Sequence, residues 1–304
     1  MRKILTIDVG GTFTKFAVMS GTRTFKIAEQ NKIPTPKKYH EKFLSELVKI
    51  YEAHSDAEGI AMSMPGLIDT REGICIASDA LEFSSGHCIA EELKAMCSVP
   101  VTVENDANCA ALAEIKSGAL TDVKDAFVLV FGTAVGGAFI RNREIYRGAH
   151  NCAGEVSFTL KNSISVMTEK NLYGTDISVT ALRKSCAKIL SLPPEEVTGE
   201  MIFELIDEND DDILDALYKF AHGVAGFFER RKRCGLTAVS GVGAGRRDVK
   251  RFGVQAACAK KHRDAKGGKE EVFHGRDLFK VWRVECGGWS WELKTKTGGL
   301  ISRT

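Results

Sequence analysis

Residues 8–15, read as DVGGTFTK, bring an acid, two glycines, two threonines and a lysine together directly after the short apolar run ILTI. Adjacent glycines let a backbone approach a ligand closely, and their N–H groups can cradle phosphate oxygens. Hydroxyl and ammonium groups add donors, and an acid at a strand end can hold Mg²⁺ through water. A structural β-turn is about as consistent with this segment taken alone. The candidate phosphate-binding residues are Asp8, Gly10, Gly11, Thr12, Thr14 and Lys15, with Asp8 as the candidate magnesium residue.

A second glycine turn, FGTAVGG at residues 131–137, separates two apolar runs about 120 residues further along the chain. One such turn is weak evidence for a phosphate site. Two turns at corresponding places in two αβ halves predict a nucleotide held between those halves. The candidate residues in this second turn are Gly132, Thr133, Gly136 and Gly137.

The segment VTVENDANCAALAE, residues 101–114, predicts a strand that ends where a helix begins at Asn105 and Asp106. An acid near the positive end of a helix stays ionised and can accept a proton from a substrate hydroxyl. The amide of Asn105 both donates and accepts, which suits neighbouring sugar hydroxyls. The alternative is an ordinary Asx helix cap, which the spacing alone favours.

The segment YRGAHNCAGEVSF, residues 146–158, is a small, glycine-rich loop around His150 and Glu155. A carboxylate on such a loop can accept hydrogen bonds from two sugar hydroxyls at once. His150 is a second candidate substrate residue, and an ordinary surface histidine is the simpler interpretation of it.

Alternating strand and helix patterns across the first half predict an α/β architecture with a mixed sheet, because short hairpins join the first strands. Strands are predicted at 3–9, 15–19, 24–33, 59–63, 99–104, 126–131 and 138–140. Helices are predicted at 37–54, 89–97, 105–117, 178–190 and 210–233.

The chain has 304 residues, of which 44% are hydrophobic and 27% charged, as in ordinary globular proteins. The sequence contains neither an apolar run of the roughly 18–20 residues that cross a bilayer nor an N-terminal signal-peptide pattern. We therefore expect a cytoplasmic protein without a membrane partner. The nine cysteines include no CxxC pair, which argues against a zinc site built from cysteines.

In order and spacing, DVGGTFTK, SMPGLID (63–69), VENDANCAALAE, FGTAVGGAF and YRGAHNCAGE resemble the motifs of the ROK family. This family comprises sugar kinases and related repressors of the actin-like ATPase superfamily. The resemblance covers about residues 3–190 and extends to about 228. It implies a two-domain, ribonuclease-H-like α/β fold with ATP and a sugar in the interdomain cleft.

The same resemblance implies transfer of the γ-phosphoryl group of ATP, with Mg²⁺, to a hexose hydroxyl, usually the 6-hydroxyl. Asp106 is then the general base, and Asn105 and Glu155 hold sugar hydroxyls. Gly66 belongs to the loop beside the sugar, and the two glycine turns hold the phosphates. The implied partners are a small-molecule sugar and a second copy of the chain. A non-catalytic, sugar-binding regulatory protein is the alternative.

Two departures from the family pattern concern zinc. Many members have a histidine three residues after the sugar-loop glutamate, where this chain has Phe158. The family's cysteine-rich zinc motif is also missing, since residues 159–176 contain no cysteine. We therefore expect no zinc site of the family type.

The charge of the chain changes abruptly near residue 230. Residues 1–229 hold 23 Lys and Arg against 33 Asp and Glu, a net charge of −10, and residues 230–304 hold 19 against 7, a net charge of +12. One interpretation is a basic segment that binds nucleic acid. The interpretation that we favour is a change of reading frame near 228–236, which would damage the adenosine side of the ATP site. We therefore divide the chain into an N-terminal α/β domain at 1–118, the start of a second at 119–229 and an atypical basic segment at 230–304.

Overall fold

The computed structural model describes residues 2–21, 25–161, 168 and 171–231, together with 239–243, 256–257, 282–283, 291–294 and 300–303. No helix within these residues is long and apolar enough to cross a membrane. The chain forms two compact units, Met1–Cys109 with Gly148–Cys152, and Ala110–Arg147 with Ala153–Thr304. The domain boundaries predicted from the sequence stay a prediction.

Helices and strands are interspersed along the chain, with runs of consecutive strands and one run of three helices. The helices are α1 (His40–Glu52), α2 (Ile89–Cys97), α3 (Asp106–Ser117), α4 (Val179–Leu190), α5 (Gly199–Asp207) and α6 (Asp211–Arg231). The strands are β1 (Arg2–Val9), β2 (Phe13–Gly21), β3 (Phe25–Pro34), β4 (Ile60–Met64), β5 (Leu67–Asp69), β6 (Ile74–Ala77), β7 (Val101–Asn105), β8 (Ala126–Phe131), β9 (Val135–Arg141), β10 (Glu144–Tyr146), β11 (Val239–Gly243), β12 (Ala256–Ala257), β13 (Trp282–Arg283), β14 (Trp291–Lys294) and β15 (Leu300–Arg303).

The first unit is built on a five-stranded sheet in the order β3-β2-β1-β4-β7. Strands β1, β2 and β3 are antiparallel neighbours, whereas β4 and β7 run parallel to β1. Alternate residues of β1, namely Leu5, Ile7 and Val9, are buried in one cluster with Phe43 and Leu47 of α1. The predicted α/β architecture with a mixed sheet is therefore confirmed.

The second unit contains a sheet in the order β10-β9-β8-β11, which repeats the hairpin arrangement of the first sheet. Strand β8 is apolar on both faces: Phe127 and Leu129 are buried with Phe227 of α6, and Ala126 is buried with Ala111 of α3. Because β11 pairs in parallel with β8, as β4 pairs with β1, the two sheets share one local topology.

Most of the helices and strands predicted from the sequence are confirmed. The elements that were missed are one helix of nine residues and several strands of two to five residues. The predicted helix at 178–190 begins where expected, since the Ser178 hydroxyl accepts a hydrogen bond from the backbone N–H of Ala181. The sequence analysis missed α5, although Thr198 caps it in the same way. It also missed the β5–β6 hairpin and β10, whose three or four residues are too few to show a period.

Residues 230–304 fall mostly outside the described residues, and so does the predicted change of reading frame at 228–236. Within the described parts, β11 lies in the segment LTAVSGVGAGRR, residues 236–247. The four short strands β12 to β15 were not predicted from the sequence. Strands of two to four residues are too short to show an alternation of apolar and polar residues.

Candidate active site

The carboxyl ends of three parallel strands bring three polar side chains into one row in the first unit. Asp8 of β1 pairs with Ser63 of β4, and Ser63 pairs with Glu104 of β7. Residues paired directly across strands point to the same face of a sheet. Ligand sites of α/β sheets form at this edge. The row is therefore a candidate site that no single segment of the sequence reveals.

Asp8 lies at the centre of a small polar network. Its Oδ1 accepts a hydrogen bond from the Ser63 hydroxyl at 3.2 Å, and its Oδ2 accepts one from the Lys15 ammonium at 3.3 Å. Lys15 stands directly across the β1–β2 hairpin from Asp8. Both charged side chains are about half exposed, so a bound ligand can reach them.

The turn between β1 and β2 is held from outside by Thr35, which follows β3. The Thr35 hydroxyl donates to the carbonyl of Gly10 at 2.6 Å, and its backbone N–H donates to the carbonyl of Thr12 at 3.0 Å. The Thr14 hydroxyl is fully buried and lies 3.0 Å from the Thr35 hydroxyl. Thr14 therefore helps to hold the turn, and its contact with a phosphate stays a prediction.

Gly11 differs from Gly10 in the space beside it. A Cβ atom added to Gly11 would meet nothing within 4 Å, whereas one added to Gly10 would lie 3.0 Å from the carbonyl oxygen of Phe13. Gly11 and Thr12 are exposed. The turn thus presents its backbone to open space at the tip, as a phosphate cradle requires.

Asn105 and Asp106 begin α3, and both side chains hold that helix start together. The Asn105 Oδ1 accepts from the backbone N–H of Asn108 at 3.0 Å, which is the geometry of an N-cap. The Asp106 Oδ1 accepts from the N–H of Ala107 at 2.9 Å and from the Asn105 Nδ2 at 3.1 Å. The Asx-cap interpretation therefore describes Asn105 well, and its contact with a sugar stays a prediction.

The carboxyl of Asp106 has a pKa above its ordinary value of 3.8. The main cause is desolvation by the protein atoms packed around the carboxyl, and the residue itself is exposed to solvent. The negative charge of Asp8 raises the pKa further, while the hydrogen bond from Ala107 opposes the shift. A carboxylate with a raised pKa is a better proton acceptor than an ordinary one.

Gly66 connects the loop after β4 to this helix start. Its carbonyl oxygen accepts a hydrogen bond from the Asn105 Nδ2 at 3.0 Å. Its φ of +120° lies in a region that favours glycine, and an added Cβ would lie 2.4 Å from the carbonyl oxygen of Ala77. Gly66 therefore has a structural reason to be glycine in addition to the predicted place beside a sugar.

Sequence reasoning missed Ser63 and Cys109, which both lie at this cluster. Burial and the charge of Glu104 raise the pKa of the Cys109 thiol to about 12, so it stays protonated and is not a nucleophile. The Ser63 hydroxyl lies within hydrogen-bonding reach of that thiol. The signal for Ser63 was its place in the motif SMPGLID, but its pairing with Asp8 depends on strand register.

In the second unit, the turn between β8 and β9 carries Gly132 and Thr133, and Gly136 and Gly137 lie in β9 itself. Ala134, the residue between Thr133 and β9, has no positive φ, so the turn does not require glycine at this position. A Cβ on Gly137 would lie 2.6 Å from the carbonyl oxygen of Gly154. This close approach fixes the loop that carries Glu155 against β9.

The structure brings some of the predicted residues into contact and leaves others apart. Asp8 and Lys15 contact each other, as do Gly66, Asn105 and Asp106, and Asp8 perturbs Asp106. The second turn and Glu155 belong to the other unit. His150 is exposed in the segment Gly148–Cys152, which groups with the first unit. Their roles stay predictions.

Comparisons with known proteins relate this chain to one family. The model of the ROK family matches residues 4–230. A beta-glucoside kinase from Klebsiella pneumoniae is 31% identical over 209 residues, which cover 68% of this chain and 70% of that protein. A solved structure from Listeria monocytogenes is 28% identical, with a TM-score of 0.71, and the likeness covers 80% of this chain and 83% of that one.

The structure of a ROK family glucokinase from Streptomyces griseus, in complex with glucose and AMPPNP, has a TM-score of 0.68. It is 20% identical and covers 79% of this chain and 83% of that one, so it bears on the fold alone. Together these structures confirm the predicted α/β fold of the actin-like ATPase type.

We expect Gly66→Ala to lower the free energy of unfolding by about 2–4 kcal/mol, because backbone strain is added to a clash with Ala77. Gly86→Ala is the matched control, since Gly86 has a φ of +81° but nothing within 4 Å of its added Cβ. It should cost only about 1–2 kcal/mol of strain. Urea unfolding measures both, and equal losses would contradict the role given to the contact with Ala77.

Proposed function

The chain belongs to the ROK family, and on that premise we propose that it is a sugar kinase, which transfers the γ-phosphoryl group of ATP to a hexose hydroxyl, usually the 6-hydroxyl. The beta-glucoside kinase from Klebsiella pneumoniae supports a sugar as the acceptor. That relative is a kinase, which supports a phosphoryl donor, and ATP is the donor that the resemblance to the ROK family implies.

One observation carries the proposal. Asp106, at the start of α3, has a raised pKa, and the charge of Asp8 in the first glycine turn contributes to that shift. The candidate proton acceptor and the acid that precedes the candidate phosphate turn therefore interact electrostatically within the first unit. Phosphoryl transfer needs this pairing, because a carboxylate orients the attacking hydroxyl while donors neutralise the phosphates.

Asp106 is the general base of the proposed reaction. Its Oδ1 is engaged by Ala107 and Asn105, so we assign the substrate proton to Oδ2. The two hydrogen bonds hold the carboxylate in one orientation. The proton acceptor is therefore already in position when the sugar hydroxyl attacks. Asn105 acts by positioning Asp106 and, through Gly66, the loop beside the sugar.

The first turn fits the phosphates of ATP and a magnesium ion. Open space at Gly11 and the exposed ammonium of Lys15 suit phosphate oxygens, and the half-exposed carboxylate of Asp8 suits Mg²⁺ held through water. When bound, Mg²⁺ neutralises phosphate charge. Gly132 and Thr133 of the second turn are the proposed partners of the same phosphates, and Glu155 and His150 are the proposed sugar contacts.

The C-terminal segment lies beyond the part of the chain that resembles the family. The family match ends at residue 230, so the adenosine side of the site depends on sequence outside the match. We propose that this segment reduces the turnover of the kinase. Comparing this chain with one whose C-terminal frame has been restored would separate a damaged segment from a functional basic one.

The proposed function is tested by coupled ADP release over a panel of hexoses, β-glucosides and N-acetylated amino sugars. We expect Asp106→Asn to lower kcat for the accepted sugar by about 100–10,000-fold, because the proton acceptor is lost. Calorimetry should show sugar binding largely retained. Undiminished turnover would reject Asp106 as the base, whereas sugar binding without ADP release in the parent chain would favour the non-catalytic alternative.

We expect Gly11→Ala to raise the KM for ATP roughly tenfold, about the contribution of one hydrogen bond to a charged group. The methyl group would occupy the space beside the turn tip, while stability should stay unchanged because nothing in the protein lies within 4 Å. Gly86→Ala, with equal space around it, should leave the KM unchanged. If both variants keep the parent KM, the turn tip does not approach the phosphates.

The pH dependence of kcat/KM follows from the raised pKa of Asp106. Protonated Asp106 cannot accept a proton, so activity should fall as pH drops through this pKa, above the ordinary value of 3.8. Asp8→Asn removes a charge that raises the pKa, so the acid limb should move to lower pH even where the rate is reduced. Asp122→Asn, at an exposed acid that is not among the causes of this shift, should leave the limb in place. An unmoved or raised limb in Asp8→Asn would contradict this assignment.

A further inference from the structure

His40, His87 and Glu92 form a compact cluster in the first unit that the proposed kinase reaction does not use. One ligand atom of each lies within 4.8 Å of the others. His40 is the first residue of α1, Glu92 lies in α2, and His87 lies in the loop before α2. We propose that these three side chains bind a divalent transition-metal ion of the zinc type.

The donor set supports this class of ion. Two imidazoles and one carboxylate are typical ligands of Zn²⁺, at about 2.0–2.2 Å from the metal. Tetrahedral geometry at that distance places neighbouring ligand atoms about 3.3 Å apart. The His87 Nδ1 lies 3.3 Å from Glu92 Oε1, and the His40 Nε2 lies 2.6 Å from Glu92 Oε2. The first separation matches this spacing and the second is shorter, so ion binding needs a rotation of the Glu92 carboxylate together with a turn of the His87 ring.

The cluster is held in place by contacts that do not involve the ligand atoms. The backbone N–H of His87 donates to the carbonyl of Ser84, and the carbonyl of His87 accepts from the N–H of Cys75. The other ring nitrogen of His40, Nδ1, lies 3.5 Å from the buried Ser84 hydroxyl. Metal-binding histidines usually donate their second N–H to a carboxylate, a carbonyl or water, and a hydroxyl oxygen can accept in the same way.

The two imidazole rings are stacked, with centroids 3.5 Å apart and planes 21° from parallel. The lone pairs of an imidazole lie in the plane of its ring, so two stacked rings do not direct them at one ion. The partly exposed His87 ring therefore has to turn out of the stack when the ion binds. Without an ion, Glu92 simply hydrogen-bonds to both rings, so the same geometry is also compatible with a plain hydrogen-bonded network. The experiment below separates these two cases.

One side of the cluster is open. His40 is only 7% exposed, but His87 and Glu92 are partly exposed and line a groove of about 700 Å³ beside α1 and α2. Three protein ligands and one open position are the pattern of a metal site that keeps a water molecule. The ion would connect the start of α1 to α2. The site shares no residue with the proposed kinase site or with the family's cysteine-rich zinc motif.

We test the site with Co²⁺, whose visible absorption reports its ligands, added to the full chain. We expect one bound ion per chain, with the visible bands of nitrogen and oxygen ligation and without the near-ultraviolet charge-transfer band of cysteine thiolates. Zn²⁺ should raise the Tm of the same protein and displace the Co²⁺.

Glu92→Gln keeps hydrogen-bonding capacity toward both rings but removes the anionic ligand, so the fold should survive. It should weaken Co²⁺ binding by more than about 100-fold, since loss of even an outer partner typically costs about 10–100-fold. Glu91→Gln, at the exposed neighbouring position that pairs with Lys94, is the matched control and should bind as the parent does. His87→Gln should weaken Co²⁺ binding in the same way, and His222→Gln, at an exposed histidine outside the cluster, is its control and should bind as the parent does.

Equal Co²⁺ affinity in Glu92→Gln and Glu91→Gln would overturn the proposal, as would a thiolate charge-transfer band in the parent chain. A parent chain that binds no Co²⁺ and gains no Tm from Zn²⁺ would assign the cluster to a plain hydrogen-bonded network. Kinase activity plays no part in these measurements, so their outcome is independent of the proposed function.

Discussion

The parallel register of β1, β4 and β7 is the constraint on which the rest of the site depends. It places Asp8, Ser63 and Glu104 in one row and brings Asp106 just beyond the end of β7. Desolvation is the main cost of keeping Asp106 charged, and the negative charge of Asp8 adds to it. The surrounding donors offset that cost: Lys15 and Ser63 serve Asp8, while backbone and amide N–H groups serve Glu104 and Asp106. The residual effect is the raised pKa of Asp106, which is the property a general base needs.

The same hairpin topology recurs in the second sheet, but its turn is held differently. The β1–β2 turn is held by the hydroxyl and backbone of Thr35. At the β8–β9 turn, the Ser157 hydroxyl donates to the carbonyl of Val135 and accepts from its N–H. In both cases a hydroxyl from a later segment fixes the turn while leaving its tip exposed. Because glycine is conformationally costly in a strand, such outside support is what lets the turns keep an open backbone.

How much could be predicted from the sequence depends on whether a feature is local. Segment 101–114 predicts the strand-to-helix junction, and the structure has Asn105 and Asp106 there because cap chemistry is read within four residues. Ser63 was missed because its partner Asp8 is 55 residues away and meets it only through strand register. The buried position of Thr14 was missed for the same reason, since it contacts Thr35, which directly follows β3. Local chemistry identifies candidates, and non-local pairing decides which of them can meet a ligand.

The two sheets differ in where their parallel neighbour comes from. In the first sheet, β4 lies between β1 and β7 and inside the region that matches the ROK family. In the second, the corresponding strand is β11, which begins nine residues beyond the end of that match at residue 230. The proposed proton acceptance by Asp106 and the proposed phosphate contact of the first turn therefore depend only on residues within the family match. The fourth strand of the second sheet lies outside that match, so a C-terminal defect should act on the nucleotide side before it acts on the base.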